Sequence, residues 1–212
     1  MKVDFHIHTI HSPDSLNTLW LLNKICVKKG ITPVISDHNR VKYAQEYKRR
    51  FGNAIVAEEI ETSEGEMICL FANERIRSGL SIEETIDKIR EQGALVYVPH
   101  PFDRMRSSTI KRLNFKPDII EVFNARVIKK DYNRQALEFA EQNGYLKAAG
   151  SDAHLPFEIG KSYAEMEEFD SIKEFKKNLK SAKLVTNYQS PFVHPITKSI
   201  YFVRKNFSAK NM

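Results

Sequence analysis

The sequence predicts an α/β fold, a barrel-like ring of strands with helices between them. Three observations predict it. Short apolar runs alternate with amphipathic stretches along most of the chain. About seven of those runs read as strands. Residues able to bind metal or move protons fall at or just after the ends of the strands: His8, Asp37-His38, Glu59, His100, Asn124 and Asp152-His154. Functional residues of parallel β/α barrels gather at that C-terminal face.

The first strand is expected at 3–8. Strand alternation turns residues i and i+2 to one face, so His6 and His8 reach into the same space. A helix is expected over 16–29, with Leu19, Leu22, Ile25 and Cys26 at helical spacing and Gly30 as C-cap. A strand at 32–36 and a polar helix over 41–50, ending near Gly52, come next. Strands are expected at 54–59 and 67–71. Ser81-Ile82-Glu83-Glu84 has capping-box spacing and starts a helix striped by Ile82, Ile86 and Ile89. Strands at 95–98 and 119–123 precede a helix over 131–142 that packs through Tyr132, Ala136, Phe139 and Ala140 and stops at Gly144. A strand at 147–149 and a short helix over 171–180, with Phe175 and Leu179, complete the domain, taken as residues 1–189.

Residues 190–212 read as a basic tail. Beyond Pro191 and Pro195, the residues Ile196, Ile200, Val203 and Phe207 form one helical stripe, flanked by Lys198, Arg204, Lys205 and Lys210. A helix docked on the barrel accounts for the stripe. An oligomer contact or a patch for an anionic partner is the sharper alternative.

Composition narrows the class. A 42% hydrophobic and 28% charged chain of 212 residues suits one soluble domain. It has no apolar run long enough to span a bilayer. The first strand is expected to follow the start directly, with no signal peptide. Cys26 and Cys69 stand far apart in apolar surroundings and read as buried thiols in a reducing, cytoplasmic compartment. A net charge of +6 favours anionic partners such as phosphorylated metabolites, nucleotides or nucleic acid.

Nine residues are candidate metal ligands: His6, His8, Asp14, His38, Glu59, Glu66, His100, Asp152 and His154. The set is imidazole and carboxylate without thiolate, which suits Zn, Mn or Fe(II). Nine donors exceed the needs of one ion and match two or three divalent ions sharing a bridging carboxylate. Paired metals clamp the attacking and leaving oxygens of a phosphoryl displacement and activate water. Asp37 and Asp103 adjoin ligands, and either orient imidazoles or serve as caps. His11 and His194 fall outside the pattern. Arg104, Arg106 and Arg126 follow strand ends, and an arginine fork suits phosphate.

His6-Ile-His8-Thr with Asp14, Ile35-Ser36-Asp37-His38-Asn39, Glu59-Ile60-Glu61-Thr62, Val98-Pro99-His100-Pro101-Phe102-Asp103, Glu121-Val122-Phe123-Asn124-Ala125-Arg126 and Gly150-Ser151-Asp152-Ala153-His154 resemble, in order and from about residue 3 to 165, the PHP (polymerase and histidinol phosphatase) family. The stretch 150–160 resembles the PHP-associated C-terminal segment. The resemblance implies a distorted (β/α)7, TIM-like barrel with a di- or trinuclear site hydrolysing phosphate esters through a metal-activated hydroxide. It implies that His6, His8, Glu59 and Asp152 hold one ion, that Glu59 bridges to a second also bound by His100, and that Asp14, His38 and His154 hold a third. Glu66 follows Gly65 where many relatives carry His, and a carboxylate there can still ligate. Glu59, Asp152 and His154 are the expected catalytic residues, and Arg104 and Arg126 the expected substrate-phosphate contacts. The expected substrate is a nucleotide, an oligonucleotide or a small phosphorylated metabolite, histidinol phosphate included. The competing class is a non-catalytic, metal-stabilised module that binds nucleic acid or serves structurally.

Overall fold

The computed structural model describes residues 1–110 and 112–209. Among the described residues nine strands form one sheet: β1 (Lys2–Ile7), β2 (Ile31–Ile35), β3 (Ile55–Thr62), β4 (Gly65–Leu70), β5 (Leu95–Val98), β6 (Ile119–Asn124), β7 (Leu146–Gly150), β8 (Tyr163–Glu165) and β9 (Lys183–Val185). Their order is β7-β6-β5-β4-β3-β2-β1-β8-β9. The ends of β1 and β7 also meet: Ile7 bridges Ala153 in parallel, and the His8 N–H donates to the Ala153 carbonyl at 3.0 Å. The first seven strands therefore curl into a nearly closed barrel. Among the described residues the α-helices are α1 (Leu19–Lys29), α2 (Lys42–Phe51), α3 (Ile82–Glu91), α4 (Asp131–Asn143), α5 (Ile172–Lys180) and α6 (Val193–Ala209), with one 3-10 turn at Pro156–Glu158.

The barrel is not wholly parallel. β4 runs antiparallel to both β3 and β5. Two residues, Ser63 and Glu64, join β3 to β4, and a link that short permits only a hairpin. Strands β8 and β9 escape sequence reading because three residues are too few to display a period.

Two apolar layers hold the fold. Val3, Phe5, Val34, Ala57, Ile68, Tyr97, Ile119 and Ala148, drawn from all seven barrel strands, fill the interior, and Phe175 and Leu179 of α5 join them. Phe5 stacks edge-on to Tyr97 and packs 6.0 Å from Phe175, so α5 seals one end of the barrel. The second layer, with Leu22, Cys26, Tyr47, Ile86, Ile89 and Ala136, lies between strands and outer helices. Both cysteines are buried and free, as expected.

Helix ends follow the sequence signals closely. Gly30 and Gly144 take left-handed φ of 65° and 68° and cap α1 and α4. Ser81 and Glu84 form the reciprocal capping box of α3. Helix α1 starts at Leu19, three residues later than expected, because Ser15 and Asn17 are used otherwise. Both side chains donate to the His8 carbonyl, and Asn17 also to the Ala153 carbonyl, tying β1 to the segment after β7.

The stripe expected to dock the tail is a correction. Ile196 and Val203 are 44% and 51% exposed, whereas Val193 and Thr197 are buried. Helix α6 docks through polar contacts that hydrophobic periodicity does not register. The side chains of Phe207 and Lys210 lie outside the described residues.

Candidate metal centre

His6 and His8 leave the end of β1, Asp14 the loop after it, His38 the end of β2, Glu59 the middle of β3 and Glu66 its hairpin partner β4. His100 follows β5, and Asp152 and His154 follow β7. Strand alternation does not account for all of this. Register slips occur in β1 between Asp4 and Ile7 and in β6 between Glu121 and Phe123. The first lets the adjacent Phe5 and His6 both face the barrel interior, the usual effect of a bulge beside a site. His100 and Asp152 sit at φ of 30° and 52°, a backbone conformation that non-glycine residues rarely adopt and that clusters at functional sites.

The donor atoms converge. His6 Nε2 lies 3.0 Å from His8 Nε2, 3.4 Å from Glu59 Oε1 and 3.7 Å from Asp152 Oδ1. His8 Nε2 is 3.5 Å from Glu59 Oε2 and 3.4 Å from Asp152 Oδ1. On the other side, His38 Nδ1 stands 3.0 Å from Glu59 Oε2 and 3.6 Å from Glu66 Oε1. His100 Nε2 is 3.5 Å from Glu59 Oε1 and 3.7 Å from Glu66 Oε2. Asp14 Oδ2 meets His154 Nε2 at 3.1 Å.

These residues fit divalent ions. Ligands about 2.1 Å from a tetrahedral or octahedral ion lie roughly 3.0–3.4 Å from one another, close to the spacings here. Three overlapping groups have donor atoms within 4.8 Å: His6, His8 and Glu59; His38, Glu59 and Glu66; and His8, His38 and His154. Glu59 Oε1, Asp152 Oδ1 and Asp14 Oδ1 are buried without a hydrogen-bond partner, which a cation would remedy.

The far side of each histidine on β1 is fixed. His6 Nδ1 is 3.2 Å from Glu121 Oε1, so its N–H points at a carboxylate and Nε2 faces the pocket. His8 Nδ1 is 3.1 Å from Ser12 Oγ, whose hydroxyl donates to Asp37 Oδ1 at 2.8 Å. Asp37 thus orients His8 at one remove. Asp103 orients no imidazole and instead accepts from Arg106 Nε at 3.1 Å.

Glu121 is the functional residue absent from the candidate ligands. It also accepts from the His100 backbone N–H at 2.8 Å and from Asn124 Nδ2 at 2.9 Å. Its signal was its position, a carboxylate inside an otherwise apolar strand. Gly150 makes room for it, since a Cβ there would overlap Glu121 Oε1 and stand 2.6 Å from His6 Cβ.

Charge distribution follows from burial and neighbours. Burial alone would depress the His6 imidazole, but the Asp152, Glu59 and Glu121 carboxylates outweigh it and hold the pKa well above the ordinary value. His38 likewise opposes its burial through Glu59, Glu66 and Asp14, and rises to about 10. His8, buried beside His154 and His38, falls to about 3. Burial and the neighbouring Glu59 charge raise Glu66. Glu59 and Asp152 stay well below the carboxylate range despite burial, Glu59 through His6 and His38, Asp152 through Arg106 and His6. The cavity holds its neutralising protons on His6 and His38, where cations would replace them.

The pocket above these ligands has a volume of about 460 Å³ and is walled by Arg106, Ser107, Arg126 and residues of α6. Arg104 lines a neighbouring cavity with Phe102 and Phe139. Arg106 takes the position beside the ligands instead, with Nη2 2.7 Å from Asp152 Oδ2. Arg126 is buried, and its guanidinium reaches His154 Nδ1 at 2.8 Å, Glu158 Oε1 at 3.3 Å and Thr197 Oγ1 at 2.8 Å. His11 stacks on Tyr43 away from the ligands. His194 Nε2 donates to the Arg126 carbonyl at 2.8 Å.

Comparison with known proteins bears on the family and the fold. Residues 130–184 match the PHP-associated family. Over 195 residues, 85% of this chain and 79% of the relative, the sequence is 41% identical to the uncharacterized protein MJ0417 of Methanocaldococcus jannaschii. The fold is similar to a two-domain Bacteroides vulgatus protein containing a predicted PHP-like metal-dependent phosphoesterase, with a TM-score of 0.67 and 16% identity over 88% of this chain.

The chain belongs to the PHP family.

It spans 65% of the length of the Bacteroides protein. PsfC from Pseudomonas syringae has the same fold over 97% of this chain and 98% of its own, with a TM-score of 0.68 and 15% identity. The barrel is the TIM-like one of PHP proteins, with β4 reversed. The PHP-associated match reaches well beyond 150–160, covering α4, β7, β8 and α5.

Proposed function

We propose that this PHP protein is a metal-dependent phosphoesterase that hydrolyses a nucleotide, an oligonucleotide or a small phosphorylated metabolite. The observation that carries the reading is the position of Glu59 between two sets of donors, His6 and His8 on one side and Glu66 with His38 and His100 on the other. In this reading His6, His8, Glu59 and Asp152 hold one ion, Glu59, Glu66 and His100 a second, and Asp14, His38 and His154 a third. The donor chemistry favours Zn, Mn or Fe(II). Bound divalent ions supply Lewis acidity toward phosphoryl oxygens and lower the pKa of water.

The protein's own residues do the rest. Glu121 and the Ser12–Asp37 pair hold the His6 and His8 rings with Nε2 inward. Arg106 neutralises Asp152 and brings a cation to the pocket wall. Burial excludes bulk water from Glu59 and Asp152, which strengthens every charge interaction there. Among the described residues no helix is long and apolar enough to cross a membrane. The two buried free thiols support a cytoplasmic location.

The test is metal analysis of the purified protein, with hydrolysis of p-nitrophenyl phosphate and bis-p-nitrophenyl phosphate before and after chelation. Two or three ions per chain and chelator-sensitive turnover are expected, and Asp152→Ala abolishes the turnover. Full activity in that variant, or no metal uptake on reconstitution, refutes the assignment.

A further inference from the structure

Helix α6 presents a polar face to the metal pocket. His194, Thr197, Lys198 and Tyr201, spaced i, i+3, i+4 and i+7, line the same cavity as Glu59, Glu66 and Asp152. The helix is fixed at both ends of this face. Near its start, Arg126 Nη2 donates to Thr197 Oγ1 and His194 donates to the Arg126 carbonyl. Further along, Arg204 Nη1 donates to the carbonyls of Ile10 at 3.0 Å and Ser12 at 3.2 Å.

In the phosphoesterase reading the ions held by Asp14, Glu59, Glu66 and Asp152 would meet a phosphate from one side of this pocket, and the side-chain cations on its other walls add to that hold. Arg106 is already paired with Asp103 and Asp152. Arg126 is already engaged by Glu158, Thr197 and the Val193 carbonyl. Among the described lysines and arginines lining the pocket, Lys198 is the cation without a carboxylate or hydrogen-bond partner.

We propose that Lys198 is a specificity-determining residue whose ammonium group binds the substrate's phosphate, with the Tyr201 hydroxyl as a second donor beside it. The proposal rests on the phosphoesterase reading and deepens it. A monoester carries close to two negative charges near neutral pH and a diester one, so an unpaired cation favours the monoester.

Titration calorimetry with inorganic phosphate, on metal-loaded wild type, Lys198→Ala and Lys198→Arg, tests the binding step directly. Lys198→Ala weakens phosphate binding by about 10- to 100-fold, the range for a charge-assisted hydrogen bond, and Lys198→Arg restores most of it. Metal content and thermal midpoint stay unchanged. In turnover assays Lys198→Ala lowers kcat/KM more for p-nitrophenyl phosphate than for the diester. Unchanged phosphate affinity in Lys198→Ala, loss of metal from it, or no phosphate binding by wild type overturns the proposal. If wild type hydrolyses neither ester while Lys198→Ala still loses phosphate, the phosphoesterase reading falls and the Lys198 assignment stands.

Discussion

Glu58→Gln isolates one buried charge from the metal centre next to it. Glu58 and Glu59 are adjacent on β3 and both buried, but alternation turns Glu58 away from the ligands. Its Oε2 accepts from the Ile76 N–H at 2.9 Å, and its Oε1 has no partner. Burial pushes the carboxyl up to about 7, against a smaller pull from Ile76 and Arg75. A carboxyl whose pKa rises on folding contributes stability that is full below its unfolded pKa and lost as pH rises through the folded one. The window therefore runs from about pH 4.5 to about pH 7. The full loss is about 3 kcal/mol. Glutamine keeps the acceptor for Ile76 and cannot ionise. Relative to wild type, Glu58→Gln gains most of that 3 kcal/mol, or roughly 6–12 °C in thermal midpoint, between about pH 5 and about pH 8.5. Paired urea or thermal unfolding curves at the two pH values measure it, and metal-ligand titration cancels because both proteins carry the same ligands. A difference between the two proteins that does not change with pH refutes the reasoning.

Metal uptake at about pH 7.5 should release about two protons per chain, from His6 and His38, both held above neutrality in the metal-free protein. Calorimetry in buffers of different ionisation enthalpy counts them, and heats independent of buffer contradict the charge distribution. Glu121→Gln and Gly150→Ala should each weaken metal binding by about 10- to 100-fold, the first by loosening His6, the second by pushing Glu121 and His6 apart. A competition titration with a chromophoric chelator reads this, and wild-type affinity in both removes Glu121 from the site. Phe175→Ala should cost about 3–5 kcal/mol of stability by hollowing the barrel plug, while metal stoichiometry stays at the wild-type value. A denaturation midpoint unmoved by that change means α5 does not seal the barrel.

The parts of the site that were legible in sequence are those carried by residue type and strand position. His6, His8, His38, His100, Asp152 and His154 come from strand ends, where a barrel gathers its functional groups, and the structure brings their donor atoms together. Glu121 was harder, because its contact with His6 depends on register slips in β1 and β6 that no apolar period encodes. The sequence reading preferred Arg104 and Arg126 as phosphate contacts and passed over Arg106 for a related reason. Arg104 and Arg106 are two residues apart in one loop, and only the path of that loop sends Arg106 to Asp152 and Arg104 to the cavity beside Phe139. The tail was misread in its docking face because an apolar stripe says where hydrophobic side chains fall, whereas α6 is held by guanidinium groups on carbonyl and hydroxyl oxygens.

The clasp between Arg204 and the loop after β1 joins residues 192 and 194 positions apart. It orders events during the protein's synthesis. His6 and His8 leave the ribosome well before Asp152 and His154, and α6 follows both. Local helices such as α1 and α3 can form while the chain is still growing, but the donor set cannot close before His154 is out, and the pocket gains its α6 wall only after that. A nascent chain arrested between β7 and α6 should therefore present its donors in an open, unwalled cavity.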